Sequence, residues 1–426
     1  MSILKAVRGT RDLLPPETAL WNRIEATARA VFARYNFGEI RTPIFEDTAL
    51  FARSVGEETD IVSKEMYTWE DRARAQSEKA QSLTLRPENT AGVVRAYIEH
   101  QLGESGQLQK LYYIGPQFRR ERPQKGRYRQ FSQIGAEVIG PPSAGSESPL
   151  RDAEILEMLA TFLDELGITG WTLELNSVGS AADRARYNDT LRAALVPVVG
   201  QMCVDCQRRA VTNPLRVLDC KVPADQPIIA TLPVIADSLD ESSRLHFAAV
   251  MAALDAAKVP YPRNHRLVRG LDYYTRTTFE FTHGGLGAQN ALLGGGRYDG
   301  LSEAIGGPKA PGIGFAMGED RLVLTLQALE SAPLLLADAF IAPLGEALNP
   351  AALVLARELR RAGLRIELGD GNFRLKKSFE AADKTARRIV ILGEDELQSG
   401  ILTVKTFATG MQTKVPRSEL CIFLRQ

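Results

Sequence analysis

The chain has few cysteines, no long apolar run and no net charge. Four cysteines in 426 residues are too few for a disulfide framework, which favours a reducing compartment such as the cytosol. No apolar segment is long enough to cross a bilayer, and residues 1–8 lack the apolar core of a secretory signal. We therefore expect a cytoplasmic protein that does not enter a membrane.

The charge balance hides one local excess of basic residues. Lysine and arginine number 52, as do aspartate and glutamate, so the total charge indicates no nucleic-acid partner. Between positions 110 and 129, however, only Glu121 opposes the basic side chains of Lys110, Arg119, Arg120, Arg122, Lys125, Arg127 and Arg129. Such a stretch could bind phosphates, although a solvated surface loop explains the charge alone at least as well.

Hydrophobic periodicity predicts a helix over residues 17–35 and a hairpin over residues 111–139. In the second strand of that hairpin, side chains of one parity are polar or aromatic, and those of the other parity are small or apolar. The first set is Arg127, Arg129, Phe131, Gln133 and Glu137. Because alternate residues of a strand share one face, this pattern predicts a ligand-binding platform.

The length and an ordinary globular composition, with 44% hydrophobic residues, favour two or three domains. Residues 180–258 have a mainly helical pattern and separate two strand-rich regions, which indicates an insertion. After a linker near residues 331–333, predicted strands at 339–344, 364–368, 388–392 and 401–407 alternate with helices at 351–362 and 374–385. This alternation predicts a separate α/β domain with a mixed sheet.

Three segments resemble, in order, the three motifs of class II aminoacyl-tRNA synthetases. Residues 36–43 are similar to motif 1. Residues 118–123, followed by Arg127 and Phe131, are similar to motif 2, and residues 312–322 to motif 3. Three motifs in the family's order are far more specific than any one of them.

Two further segments resemble signatures particular to the histidyl-tRNA synthetase family. They are residues 269–277, beginning Arg-Gly-Leu-Asp-Tyr-Tyr, and residues 293–300, which contain three consecutive glycines. Residues 8–12 and 85–88 also fit that family. One departure is Asn89, which stands where the family usually has glycine.

The resemblance implies an α/β fold class: an α+β catalytic domain with a mainly antiparallel sheet over residues 1–325, interrupted by the helical insertion at 180–258, and a C-terminal anticodon-binding α/β domain over residues 334–426. It implies a histidine–tRNA ligase that uses ATP and magnesium to form histidyl-adenylate and then loads the 3' end of tRNA(His). It also implies a homodimer formed through motif 1.

The same resemblance implies roles for individual residues. The expected catalytic residues are Arg119 and Arg269. The expected ATP-binding residues are Arg119, Glu121, Arg127, Phe131 and Arg321. The expected histidine-binding residues are Glu88, Asn89, Thr90, Gln133, Glu137, Tyr273, Tyr274 and Tyr298. The expected tRNA contacts are Gln124, Arg129, Arg374, Lys376 and Lys377.

These residue types suit the chemistry. A carboxylate must attack the α-phosphate while pyrophosphate leaves, and arginine is always charged and grips phosphate through two donors. Catalysis would then consist of positioning and electrostatic stabilisation. Neutral imidazole offers one donor and one acceptor, so Glu137 can accept its N–H, and a polar pocket of this kind needs no proofreading.

Two alternatives and one possible metal site remain. A non-catalytic paralogue, the regulatory subunit of ATP phosphoribosyltransferase, shares the catalytic fold but typically lacks the anticodon-binding domain and the arginine found here as Arg269. A class II synthetase for another amino acid is the second alternative. Cys203, Cys206 and Cys220 could bind zinc, but the sequence shows no clear fourth ligand. We therefore expect reduced structural thiols and no zinc. Cys421 is predicted to lie in a strand near the C-terminus.

Overall fold

The structure is a computed structural model that describes residues 3–56, 59–71, 80–124, 126–286, 290–329 and 336–426. Lys125 and the predicted linker at 331–333 lie outside these ranges. The chain forms two compact units, Met1–Ala332 and Pro333–Gln426. No helix in the described ranges is both long enough and apolar enough to span a membrane.

The first unit contains ten α-helices and ten strands among its described residues. The helices are α1 Thr18–Arg34, α2 Thr48–Val55, α3 Thr90–Glu99, α4 Pro149–Glu165, α5 Ala181–Leu195, α6 Val204–Thr212, α7 Gln226–Thr231, α8 Glu241–Ala257, α9 Leu301–Ala304 and α10 Glu319–Leu329. The strands are β1 Gly38–Glu39, β2 Phe45–Asp47, β3 Tyr67–Asp71, β4 Gln81–Leu85, β5 Gln109–Phe118, β6 Gln130–Ile139, β7 Trp171–Ser177, β8 Thr275–His283, β9 Ala291–Arg297 and β10 Gly312–Gly318.

Seven of these strands form one sheet in the order β1-β5-β6-β10-β9-β8-β7. Only the β1–β5 pair is parallel; the other pairs are antiparallel. Strands β2, β4 and β3 form a separate antiparallel sheet. The predicted hairpin is confirmed as β5–β6, and the predicted mainly antiparallel sheet is observed.

Helix α1 confirms the helix predicted at residues 17–35, and its apolar residues are buried at helical spacing. They join one large core with the apolar faces of α4 and the sheet. The chain leaves the helix through Asn36, whose φ of 62° lies in the left-handed region that asparagine tolerates better than most residues. The buried face of β6 is the apolar set predicted from sequence, with Ile134, Ala136 and Val138 in this core.

Between β7 and β8 the chain is helical, and its helices fall into two groups. Helices α5 and α6 contribute to a second apolar cluster, which also contains Tyr273, Tyr274 and Tyr298. Helix α8 instead buries Phe247 and Val250 in the main core. The segment 180–258 therefore includes one helix that completes the main hydrophobic core.

The second unit has a five-stranded mixed sheet in the order β12-β11-β13-β14-β15. Its strands are β11 Ala339–Pro343, β12 Ile366–Leu368, β13 Arg388–Leu392, β14 Ile401–Thr406 and β15 Gln412–Pro416. Its helices are α11 Asn349–Arg361, α12 Leu375–Thr385, α13 Glu394–Ser399 and α14 Arg417–Arg425. Strand β11 pairs in parallel with β12 and with β13. The β13–β14 and β14–β15 pairs are antiparallel, which confirms the mixed sheet. Cys421, which the sequence suggested as a strand residue, lies in α14 instead.

Candidate active site

A cavity of about 830 Å³ opens on the polar face of the large sheet. Its lining includes all five predicted ATP-binding residues, together with Gln133 and Arg269 from the predicted histidine-binding and catalytic sets. These side chains come from β6, from the loop between β5 and β6, from the start of α10 and from the segment before β8. The sheet therefore brings together residues that are up to about two hundred positions apart, as sheets can do through non-local pairing.

Arg119 is held in place by two contacts. Its Nε donates to the carbonyl oxygen of Pro87 at 2.9 Å, and its guanidinium lies 5.3 Å from the centre of the Phe131 ring. Arg119 lines the cavity, and its two terminal guanidinium nitrogens carry further N–H donors. An arginine fixed through one edge in this way can present its other edge to a phosphate or carboxylate.

Two other cations flank the cavity. Arg127 pairs with Glu121 at 3.1 Å across the loop between β5 and β6. Arg321 lies in the first turn of α10 and donates to the carbonyl oxygen of Ala291 at 2.5 Å. Burial lowers the pKa of Arg321, but an arginine pKa stays so high that the side chain remains charged.

Arg269 forms an ion pair with Glu280 of β8. Its guanidinium lies over Gly294 of β9, where an added Cβ would come within 2.6 Å of Cζ. Glycine at this position therefore makes room for the arginine to lie flat on the sheet. The sequence did not identify Glu280, because a single glutamate on a strand carries no pairing signal.

Next to the cavity lies a fully buried polar cluster centred on Glu137. One carboxylate oxygen accepts a hydrogen bond from Thr90 Oγ1 at 2.7 Å, and the other accepts one from the Tyr298 hydroxyl at 2.7 Å. Gly314 faces Glu137 across the β6–β10 pair, and a Cβ there would overlap Oε2 of the glutamate. Only a glycine at 314 lets Glu137 occupy this position.

Burial changes the acidity of this cluster. Removal from water raises the pKa of Glu137 to about 8, the Thr90 and Tyr298 hydroxyls oppose that rise, and nearby Glu88 adds to it. Burial also raises the pKa of Glu88, whose carboxylate accepts the backbone N–H groups of Thr90 and Ala91 at 2.8 and 2.9 Å. These N–H groups belong to the first turn of α3, where unpaired amides favour an anion.

Aromatic rings surround the cluster. The Tyr273 ring centre lies 4.8 Å from that of Tyr274 and 6.0 Å from that of Tyr298, and all three side chains are buried. Tyr113 of β5 is buried beside them, and burial together with Glu137 raises its pKa. The sequence pattern missed Tyr113, although its place in the β-rich strand next to β6 was a signal.

Asn89, another predicted histidine-binding residue, contacts the segment that resembles motif 1. Its amide oxygen accepts a hydrogen bond from Thr42 Oγ1 at 2.5 Å, which links it to the motif 1 segment. Its φ of −120° is open to any residue, so the replacement of the family's usual glycine strains nothing. Arg86 reinforces the link by donating to the carbonyl oxygen of Thr42 at 3.1 Å.

The predicted tRNA contacts fall in two places. Gln124 and Arg129 lie on the loop before β6, and Arg129 NH1 donates to the carbonyl oxygen of Arg8 at 3.3 Å. In the second unit, Arg374, Lys376 and Lys377 are exposed at the start of α12. Here the structure adds Phe373, a half-exposed ring that the sequence argument did not single out. The Lys377 ammonium lies 3.8 Å from its centre.

The cysteine-rich part of the insertion differs from the sequence-based expectation. The three cysteines lie together with Asp225, and their four candidate ligand atoms are all within 4.8 Å of one another. The sequence argument found no fourth ligand, and the structure supplies one.

An antiparallel sheet with arginines on one face, followed by an α/β unit with a mixed sheet, matches the fold of a class II aminoacyl-tRNA synthetase with a C-terminal anticodon-binding domain. The family model described as histidyl-tRNA synthetase matches residues 9–322, and the one described as anticodon binding domain matches residues 338–426. The chain belongs to the histidyl-tRNA synthetase family.

Whole-chain relatives agree with this assignment. A histidine–tRNA ligase of Koribacter versatilis is 72% identical over 99% of this chain and 96% of its own length. One of Solibacter usitatus is 56% identical over 98% of both chains. The apo histidyl-tRNA synthetase structure of S. aureus is 37% identical, covers 100% of both chains and has a TM-score of 0.78.

Proposed function

We propose that the protein activates L-histidine with ATP and transfers the histidyl group to the 3' end of tRNA(His). The observation that carries the proposal is the buried Glu137, held by Thr90 and Tyr298 next to a cavity lined with arginines. A buried carboxylate accepts one N–H of a neutral imidazole, and the arginines receive the phosphates.

The two catalytic arginines then act from opposite segments, Arg119 from the loop between β5 and β6 and Arg269 from the segment before β8. Arg119 takes the α-phosphate and the histidine carboxylate, and Arg269 stabilises the same phosphorus as negative charge gathers there. Glu121, Arg127, Phe131 and Arg321 hold the rest of ATP. The ion pair with Glu280 orients Arg269 before substrate arrives, which is how preorganised donors lower a barrier.

The amino acid is held by the buried cluster. Glu88, Thr90 and Gln133 receive its α-ammonium group, while Tyr273, Tyr274 and Tyr298 enclose the ring. Asn89 contributes from outside the pocket, because its contact with Thr42 fixes the start of α3 and thereby Thr90.

ATP enters as its magnesium complex, and magnesium prefers oxygen ligands from phosphates, water and one or two carboxylates. Glu65 and Glu121 line the cavity, so the donor set fits such an ion. Magnesium would neutralise part of the phosphate charge.

The two domains have different roles in the reaction. Residues 1–325 carry activation, with the helical insertion at 180–258, and residues 334–426 bind the anticodon. Gln124 and Arg129 meet the acceptor end. Around Phe373, the basic residues Arg374, Lys376 and Lys377 suit an RNA single strand, because aromatic rings stack on unpaired bases and cations meet phosphates. The reaction is cytoplasmic, where translation takes place.

Motif 1 and the neighbouring strands β2 and β3 form a homodimer interface. The apolar side chains of Ile44, Phe45 and Trp69 are between 40% and 52% exposed, and exposed apolar groups of this kind mark interaction surfaces. Phe45→Asp should convert the dimer to monomer in sedimentation experiments. A wild-type protein that sediments as a monomer contradicts the assignment.

The decisive experiment is ATP–pyrophosphate exchange with each amino acid in turn. Histidine alone should support exchange. Exchange with a different amino acid identifies another class II synthetase, and no exchange at all favours the regulatory paralogue. A structure titled ATP phosphoribosyltransferase regulatory subunit/histidyl-tRNA synthetase, from Bacillus halodurans C, is 20% identical with a TM-score of 0.66 over 92% of this chain and 99% of that chain. That likeness concerns the fold alone.

A further inference from the structure

The insertion contains a cluster of potential metal ligands outside the active site. Cys203 precedes α6, Cys206 lies in its first turn, Cys220 follows a short 3-10 helix, and Asp225 ends the next one. Cys206, Cys220 and Asp225 are buried, and Cys203 is partly buried. We infer that these four side chains bind one structural zinc ion.

The distances fit tetrahedral zinc. Ligands about 2.3 Å from a central zinc stand about 3.8 Å apart at the corners of a tetrahedron. The Sγ atoms of Cys203 and Cys220 are 3.9 Å apart, and Cys220 Sγ lies 3.2 Å from Asp225 Oδ2. All four ligand atoms lie within 4.8 Å of one another, so the widest pair would close by up to about 1 Å around the ion. A disulfide would need sulfurs at about 2.05 Å, so Cys203 and Cys220 are not bonded to each other.

The surroundings match those of metal ligands. The backbone N–H of Val222 points at Cys220 Sγ at 3.4 Å, and that of Cys203 donates to the Asp225 carboxylate at 3.1 Å. Such outer hydrogen bonds orient ligands around a metal. Asp225 is 1% exposed, and the ion pairs of the described residues give it no Lys or Arg partner. A buried carboxylate needs a counter-charge, which zinc supplies.

The ligand set also selects the metal. Three thiolates and one carboxylate at tetrahedral positions favour zinc over magnesium or calcium, which take oxygen ligands in larger number. All four positions are filled by protein, which is the pattern of a structural site, since a catalytic zinc keeps an open position.

The ion would act on the active site through the segment that the ligands enclose. Between Cys206 and Cys220, Asn213 Nδ2 donates to Asp272 Oδ1 at 2.9 Å, and Arg216 NH1 donates to the carbonyl oxygen of Gly270 at 2.9 Å. Both partners belong to the segment that carries Arg269. Zinc would therefore hold the scaffold on which that arginine rests.

The test begins with metal content. The full-length protein, purified under reducing conditions and dialysed, should contain about one zinc per chain by plasma mass spectrometry. Cys206→Ser and Asp225→Ala should lose the metal, while the matched control Cys421→Ser, in the second unit, should retain it. Equal and negligible zinc in all four proteins, or iron in place of zinc, overturns the inference.

A second measurement does not depend on the variants folding. Wild-type protein stripped with a chelator should bind cobalt(II) and develop the strong visible absorption of a tetrahedral thiolate complex, which zinc then abolishes. A stripped protein whose three cysteines are free thiols but that binds neither ion refutes the site. A disulfide between Cys203 and Cys220 in place of metal binding refutes it as well.

The functional consequence rests on the proposed function. Stripping should lower the melting temperature and histidine-dependent exchange, and zinc should restore both. If zinc binds but no preparation catalyses exchange, the proposed function fails and the metal site stands. Unchanged stability and exchange after complete stripping contradict the scaffold role.

Discussion

Glu137→Gln tests how the protein recognises its amino acid. The substitution keeps the shape of the side chain and removes its charge. Glu137 accepts hydrogen bonds from Thr90 and Tyr298 through separate oxygens. The amide of glutamine can accept from only one side, so one of these hydroxyls must reorient, and the bond to imidazole loses its ionic character.

The magnitude follows from these contacts. A hydrogen bond to a charged group contributes about 1.5–3 kcal/mol. Above about pH 8, where Glu137 is ionised, histidine affinity should therefore fall about ten- to a hundredfold. ATP affinity should be nearly unchanged, because Glu137 does not line the arginine-rich cavity. Calorimetric titration of each ligand separately measures both effects.

The pH dependence makes the test sharper. Because the pKa of Glu137 is raised to about 8, the group is mostly protonated below that pH and must lose its proton to accept the imidazole N–H. Free histidine is itself mainly neutral at the ring above about pH 6.5. Between about pH 6.5 and 8, wild-type affinity should therefore rise by up to about tenfold per pH unit, and the glutamine variant should lack this component.

Folding stability distinguishes a loss of histidine recognition in the Glu137→Gln variant from general damage to its fold. A carboxyl whose pKa is raised on folding destabilises the native state as pH rises from the unfolded pKa toward the folded one. The variant should therefore be at least as stable as wild type at pH 8 in thermal denaturation. Weakened ATP binding with intact histidine binding, or the same pH slope in both proteins, refutes the assignment of Glu137.

Three further changes test the rest of the site. Arg269→Ala should reduce pyrophosphate exchange by roughly 10²–10³-fold with little change in melting temperature, as expected for loss of a preorganised donor; near-normal exchange would remove Arg269 from the mechanism. Gly314→Ala places a Cβ against Glu137 and should weaken histidine binding and cost about 1–3 kcal/mol of unfolding free energy; normal binding would show that the strands can separate. A protein ending at Pro333 should still form histidyl-adenylate and lose most tRNA charging; if it remains dimeric by sedimentation and charges tRNA at the full rate, residues 334–426 do not bind the anticodon.

Local patterns in the sequence predicted much of the fold. The alternation along β6 predicted its two faces, because the period of a strand is fixed by backbone geometry. In the second unit, the strand at 388–392 was predicted with the bounds observed. The final helix α14 was missed, and Cys421 with it, because a short amphipathic segment at a chain end resembles a strand of similar length.

The polar partners were less accessible to sequence analysis. Glu137 receives its hydrogen bonds from residues far away in the chain, and periodicity carries no information about such pairs. The resemblance named the expected histidine-binding residues but not the hydrogen bonds among them. Asp225 was overlooked as a candidate ligand because an aspartate two residues after a proline looks like an ordinary turn residue. Only the fold places it beside all three cysteines.

The contact between Gly314 and Glu137 has a consequence for how such a pocket can evolve. Any side chain at 314 collides with the glutamate, and a smaller residue at 137 leaves Thr90 and Tyr298 without their acceptor. Neither position can therefore change first without a loss of fitness. A lineage that changes its amino-acid substrate must therefore substitute several positions nearly at once. The preference for one substrate is then maintained by the order in which mutations can occur, as well as by binding energy.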